Sequence, residues 1–207
     1  MTEQIITVTF AVESQAYQAI NALKRDYMNN DYTLSHVALV KRVGGVVQPY
    51  DTFDSGVETA DDAAAGGLVG SLVGILGGPL GVILGGSMGA LVGHSVDVGD
   101  AAATVTLLEK VAQEIAEGET ALLILAQENT DGALDRKFVE YQVEIVRHDA
   151  AEVAAEVEYA AQVQQELEAE ARKKLREEKK EERKQKANQR HQEMKDKFEA
   201  FKAKYSF

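Results

Sequence analysis

The sequence contains no cysteine, which excludes disulfides, thiolate metal sites and cysteine nucleophiles. Acidic pairs such as Asp61 and Asp62 lack the spacing of a calcium-binding loop, and capping of a helix explains them. Histidine is also scarce, and no metal-ligand spacing connects the four residues, His36, His94, His148 and His191. We therefore expect a protein that is not an enzyme and that holds no metal or other cofactor.

Positive charge is scarce in most of the chain. Residues 1–171 hold 27 acidic and 8 basic side chains, a net charge of −19, whereas residues 172–207 hold 14 basic and 7 acidic side chains, a net charge of +7. An acidic body argues against nucleic acid as a partner, because phosphate binding needs clustered Lys and Arg. Only the tail has the charge to attract anionic lipid or an acidic neighbour.

Alternation and helical spacing predict the element order βαββ, an insertion, and then αβαβ. Ser14 is expected to cap the first helix, Gly44 and Gly45 to form a hairpin turn, and the segment ETALLILAQE to form a central strand buried on both faces. The predicted strands cover residues 5–12, 32–42, 46–50, 119–128 and 141–147, and the predicted helices cover residues 14–28, 101–117 and 131–140.

This order predicts an α+β fold, close to the ferredoxin-like split βαβ pattern, with an inserted helical hairpin and a long C-terminal helix. The α/β sandwich domain would comprise residues 1–57 and 98–149. Helices are expected to cover one face of its sheet and to leave the other face free for another subunit.

The insertion is a long stretch without charge, predicted to form a glycine-zipper hairpin over residues 58–97. Between Asp62 and Asp97 lie 34 residues with no fixed charge, and 11 of them are glycine. A glycine costs a helix about 1 kcal/mol relative to alanine, and close contact between helices can offset that loss. The glycines expected to pack the hairpin are Gly66, Gly70, Gly74, Gly78, Gly81, Gly85, Gly89 and Gly93.

Gly77 and Pro79 are expected to form the hairpin turn, because Pro suits the first turn of a helix. The two arms would be roughly 22 and 27 Å long, whereas the hydrocarbon core of a bilayer is about 30 Å thick. An isolated hairpin is therefore a poor membrane span, and several packed hairpins are expected. They would lie either in a lipid membrane or inside a soluble assembly. A phosphate-binding loop is excluded, because no Gly-Lys-Ser/Thr motif follows the glycines.

The tail, residues 150–207, contains neither Gly nor Pro and is rich in strong helix formers, which predicts a continuous helix over residues 150–205. Its basic segment is either a solvated helix or a site for anionic lipid or an acidic neighbour. Four apolar side chains at helical steps form a tail contact stripe that could dock on a partner, a membrane or the protein's own body: Met194, Phe198, Phe201 and Tyr205.

The glycine-rich hairpin, the DVGD that follows it and the GETALLILAQE strand resemble the bacterial domain of unknown function 1269 family, often described as membrane proteins. The resemblance covers residues 4–148, and the long tail departs from it. It implies an architecture and no activity. Because the N-terminus lacks the features of a signal peptide, we expect the protein on the cytoplasmic side of the bacterial cell membrane or in the cytoplasm.

The sequence therefore favours a non-enzymatic, self-assembling protein that associates with the membrane through its glycine-zipper hairpin. The alternative is a soluble homo-oligomeric scaffold or shell whose hairpins are packed in its interior. Both hypotheses require partners of the same kind, other copies of this chain. A sensor or enzyme would need clustered His, Asp or Lys at strand ends, and the sequence has no such cluster.

Overall fold

A computed structural model describes residues 3–57, 65–84 and 106–205. These residues form an α+β fold with a five-stranded antiparallel sheet and a long C-terminal helix. The strands are β1 (Glu3–Phe10), β2 (Tyr32–Val43), β3 (Val46–Asp54), β4 (Thr120–Glu128) and β5 (Val143–Asp149). The helices are α1 (Glu13–Arg25), α2 (Ala65–Gly77), α3 (Pro79–Leu84), α4 (Thr106–Gln113) and α5 (Ala150–Tyr205), with a short 3-10 helix at Leu134–Lys137.

The sheet has the strand order β3-β2-β4-β1-β5. Both β1 and β2 pair antiparallel with β4, so they run in the same direction and form a split βαβ unit through α1. The predicted ferredoxin-like order is not confirmed. The hairpin partner of β2, which is β3, lies at the edge of the sheet, and the later strand β4 fills the centre.

The central strand β4 is buried on both faces, as its continuous apolar sequence predicts. On one face its side chains join a core with β1, β2 and helix α1. The predicted apolar face of α1 is confirmed, because each of its four members is at most 2% exposed: Ala16, Ala19, Ile20 and Leu23. Burial of such side chains on two faces makes β4 the centre of the core.

The opposite face of the sheet is also covered, so the expectation of a free face is wrong. Helix α2 packs against β2, β3 and β4. On this face Ile5, Leu123 and Leu125 are completely buried. The expectation failed because it treated the glycine-rich helix as an insertion outside the domain, whereas α2 supplies the second helical layer.

Several predicted boundaries need correction. Helix α1 begins at Glu13 after Val12, which makes no side-chain cap, so Ser14 is not the N-cap. The helix predicted over residues 131–140 is only the 3-10 helix at Leu134–Lys137. The turn prediction is confirmed, because Gly44 and Gly45 have positive φ angles of 65° and 83°.

Two compact units can be distinguished, Met1–Gln164 and Gln165–Phe207. The first contains the sheet, helices α1 to α4 and the beginning of α5. The second consists of the rest of α5, which is helical as far as Tyr205, and the side chains of residues 169–192 are all exposed. The predicted long C-terminal helix is confirmed.

Candidate self-association surface

Helix α2 has two sharply different sides. Its large apolar side chains repeat at helical spacing and are at most 8% exposed: Leu68, Val69, Leu72, Val73, Ile75 and Leu76. The other side holds four exposed small residues, Gly67, Gly70, Ser71 and Gly74, which we call the glycine face. Because the apolar side packs on the sheet, the helix is fixed with its glycine face turned outward.

The glycine face is open. A β-carbon built on Gly67, Gly70 or Gly74 would meet no atom within 4 Å in the part of the chain that the structure describes. Each of these glycines lowers helix stability by about 1 kcal/mol relative to alanine. Since no described neighbour comes close enough to require glycine there, the described residues give no intramolecular reason for three glycines on this face.

A groove of about 440 Å³ runs beside the glycine face, between α2 and the first turns of α5. Most residues in the two walls of the groove are small, and one lining residue, Glu158, has an ionisable side chain. The lining residues are Gly67, Leu68, Ser71, Ala154, Ala155, Val157, Glu158 and Ala161. The glycine face and this groove together form a nearly uncharged surface that allows another backbone to approach closely.

Near its beginning, helix α5 has a buried apolar stripe. Val153, Val157 and Ala160 fall at steps of four and three and are at most 6% exposed. Gln164 then donates a hydrogen bond from its Nε2 to the Gly74 carbonyl oxygen at 3.4 Å. These α5 residues were not predicted as part of the site, although the four-and-three spacing that begins at Val153 carries the signal.

A carboxylate connects α5 to α4. Glu156 accepts hydrogen bonds from the backbone N–H groups of Leu107 and Leu108, each at 2.9 Å. Unpaired N–H groups at a helix N-terminus favour such an acceptor. The contact fixes the beginning of α5 relative to the domain and therefore fixes one wall of the groove.

Three other glycines near the turn are packed closely within the chain. A β-carbon on Gly77 would lie 2.7 Å from the Val47 carbonyl oxygen, and one on Gly78 would lie 2.5 Å from the Gln164 amide nitrogen. A β-carbon on Gly81 would clash with the Leu76 carbonyl group. The absence of a side chain at Gly77 allows α2 to contact β3, and at Gly78 it leaves room for the Gln164 side chain of α5. The absence of a side chain at Gly81 allows α3 to contact α2.

The predicted packing glycines therefore fall into distinct groups. No described atom lies within 4 Å of a β-carbon built on Gly70 or Gly74, whereas Gly78 and Gly81 are packed against other residues of the chain. Gly66 is a residue of α2. At the predicted turn, α2 ends at Gly77 and α3 begins at Pro79. The remaining ladder members, Gly85, Gly89 and Gly93, lie outside the described residues, as do residues 58–64 of the predicted hairpin, so a glycine-zipper hairpin is not confirmed.

In the predicted tail contact stripe, the Met194 side chain is 71% exposed. Phe198, Phe201 and Tyr205 lie on the same helix, and their side chains are outside the described set.

Charged groups of the body connect elements away from the glycine face. The Glu117 carboxylate accepts backbone hydrogen bonds from Gly44 at 2.6 Å and Gly45 at 2.9 Å, and these bonds lower its pKa. Arg42 donates from Nη1 to the Ile115 carbonyl oxygen at 2.9 Å, and burial lowers the pKa of its guanidinium. Both contacts join the β2–β3 turn to the end of α4.

No group of three or more His, Asp or Glu side chains among the described residues could hold a metal ion. Two histidines of the body have single carboxylate neighbours, His148 with Glu114 at 2.7 Å and His36 with Asp54 at 3.8 Å. Each pair connects neighbouring elements.

Residues 63–158 match the family model described as a protein of unknown function, DUF1269. The match covers 96 of the 207 residues. It extends from just before α2 into α5 and includes every residue that lines the groove except Ala161. The match begins later than the resemblance seen in the sequence, which started at residue 4, and it ends ten residues further on. No curated protein and no solved structure matches the chain.

No helix within the described ranges has the length and apolar character needed to cross a membrane. In the segment that matches the family model, α2 is 13 residues long, which corresponds to about 20 Å.

Proposed function

We propose that this protein is a non-enzymatic, self-assembling protein whose copies associate through the glycine face of α2 and the adjoining groove. The observation that carries the proposal is the set of open glycines at positions 67, 70 and 74. They allow close approach of a second backbone, and no described part of the chain makes that approach.

A second copy is the partner that this surface fits best. A contact with twofold symmetry brings the same surface patch of both molecules together, so the patch must be complementary to its own copy. Two uncharged glycine faces meet this requirement without like-charge repulsion, and their helix axes can come closer than the usual 8–10 Å.

The packing of α2 favours a soluble assembly over an inserted hairpin. Six large apolar side chains of α2 are buried within the domain, and each such burial contributes roughly 1.5–3 kcal/mol. A helix that left the sheet for lipid would also expose the face that contains Leu123 and Leu125. The geometry therefore supports the scaffold or shell hypothesis, in which the hairpins remain part of the folded domains.

The test compares the mass of the full-length protein with that of the Gly70→Leu/Gly74→Leu variant by sedimentation without detergent. We expect wild type at a multiple of 22.5 kDa and the variant as a monomer. Gln18→Leu/Asn21→Leu places two leucines at exposed positions of α1 and should keep the wild-type mass. A monomeric wild type, or a leucine variant that keeps the wild-type mass, refutes the proposal.

Membrane association is a second candidate, favoured by the uncharged stretch between Asp62 and Asp97. In this case the protein would lie on the cytoplasmic side of the bacterial membrane, and packed hairpins would shelter one another's backbone groups. Flotation with liposomes at high ionic strength tests it, because salt removes electrostatic adsorption. Wild type that stays at the bottom of the gradient refutes membrane association and leaves the soluble assembly.

A further inference from the structure

One face of the tail helix is entirely basic. Six cationic side chains fall at steps of four, three, four, three and four along α5, which places them on one side of the helix, and all six are exposed. They extend over about 27 Å at 1.5 Å per residue. This basic stripe consists of Arg172, Arg176, Lys179, Arg183, Lys186 and Arg190.

The stripe is only partly neutralised within its own helix. Arg172 pairs with Glu168 at 3.1 Å and Lys186 pairs with Glu182 at 2.5 Å. Both pairs are exposed, and exposed pairs contribute little to stability. The other four members make no ion pair with a described side chain, so the stripe can accept an anionic partner.

The chain itself carries a matching anionic segment. From Asp149 to Glu170 there are seven acidic residues and no Lys or Arg. Asp149 and Glu156 are used as caps, since their oxygens accept backbone N–H groups. Glu152, Glu158, Glu166 and Glu170 are exposed and make no ion pair with a described side chain.

The two charged sets have the same spacing. Glu152, Glu166 and Glu170 are separated by 14 and 4 residues, and so are three members of the basic stripe, Arg172, Lys186 and Arg190. Two parallel α5 helices from different copies, displaced by 20 residues, would therefore place each carboxylate opposite a cation. The acidic segment and the stripe belong to one unbroken helix, where side chains interact only three or four residues apart.

We propose that the basic stripe of one copy binds the acidic segment of α5 in another copy. A second copy suits the stripe better than a phosphate surface does, because residues 1–171 carry a charge of −19 and are repelled by polyanions. The inference rests on the proposed self-association but uses a different surface. A head-to-tail contact does not close on itself, so it adds copies without a fixed limit.

The test reverses charge on each side of the contact in the full-length protein. One variant is Arg172→Glu/Lys186→Glu/Arg190→Glu and the other is Glu152→Lys/Glu166→Lys/Glu170→Lys. At low ionic strength, wild type should form species larger than its high-salt oligomer. Each variant should need a roughly tenfold higher protein concentration to form them, and an equimolar mixture of the two should restore them.

The matched control is Lys173→Glu/Lys180→Glu/Lys184→Glu, which changes net charge equally outside the stripe and should assemble like wild type. Equal loss in the control, no recovery in the mixture, or a wild type without salt-sensitive species refutes the inference. Wild type that binds phosphatidylserine vesicles but not itself also refutes it.

The two proposals fail separately. High ionic strength screens the tail contact, so the mass measured there reports on the glycine face alone. A wild type that is monomeric at high ionic strength refutes the proposed function. A control variant that loses only the larger species seen at low ionic strength refutes the tail contact.

Discussion

A β-carbon on Gly77 would lie 2.7 Å from the carbonyl oxygen of Val47. This contact sets how closely the end of α2 approaches β3. Gly77→Ala should therefore reduce the free energy of unfolding by about 1–3 kcal/mol, because backbone atoms cannot rotate away from the added methyl group.

Gly74→Ala is the matched substitution one turn earlier in the same helix. Its methyl group meets no described atom, so the gain in helix propensity should raise stability by up to about 1 kcal/mol. Urea unfolding followed by tyrosine fluorescence measures both variants, at protein concentrations below those at which the glycine face associates. Equal effects at the two positions would contradict the packing of α2 described above.

Glu156 should stabilise the beginning of α4. Glu156→Ala removes the acceptor of the Leu107 and Leu108 N–H groups and should lower the free energy of unfolding by about 0.5–2 kcal/mol. Amide hydrogen exchange at these two residues should also become faster. Glu152→Ala, one turn earlier and exposed, should leave that exchange unchanged, and equal exchange in the Glu156 variant would show that the cap has no effect.

Asp26 gives the body an acid-sensitive contact. The hydrogen bond from Lys137 lowers the Asp26 pKa below its ordinary value of 3.8. Its stabilising effect is thus complete above that value and is lost as the pH falls through the lowered pKa. Lys137→Met should raise the Asp26 pKa toward 3.8 and reduce the loss of stability between pH 7 and acid pH. A carboxyl NMR titration checks the pKa, and an unchanged Asp26 value would contradict this role for Lys137.

The pair formed by His148 and Glu114 is largely buried, with the side chains 9% and 14% exposed. One Glu114 oxygen, Oε2, already has no hydrogen-bond partner in the described structure. His148→Leu should therefore cost about 1–3 kcal/mol, because it leaves the carboxylate buried without a partner. The double variant Glu114→Leu/His148→Leu should recover part of that loss in urea unfolding. A double variant less stable than His148→Leu would show that the carboxylate has another role.

Local patterns in the sequence predict most of the elements of the sheet and both ends of α5. The continuous apolar character of β4 also predicts its burial on both faces. The start of α1 was predicted one residue late because Ser14 is a strong capping type, whereas the chain enters the helix without a side-chain cap. Such differences are small because propensity acts over a few residues.

Long-range arrangement was harder to predict. Hairpin chemistry pairs β3 with β2 but does not say which strand fills the other side of β2, and that strand is β4. The glycine spacing predicts close backbone approach without naming the neighbour. Gly77 and Gly81 lie close to backbone atoms of the same chain, whereas no described atom comes close to Gly70 or Gly74. Only the position of the sheet distinguishes these two uses.

The position of β4 also determines the order in which the sheet can be completed during synthesis. Among the described strands, β1 pairs with β4 and β5, which are the last two of them to leave the ribosome. Until residue 128 has emerged, β1 lacks both of these strands, and α2 can cover only the β2–β3 hairpin. The nascent chain therefore carries a partly covered apolar helix through much of its translation, and contacts between chains on one polysome can begin before any copy has folded.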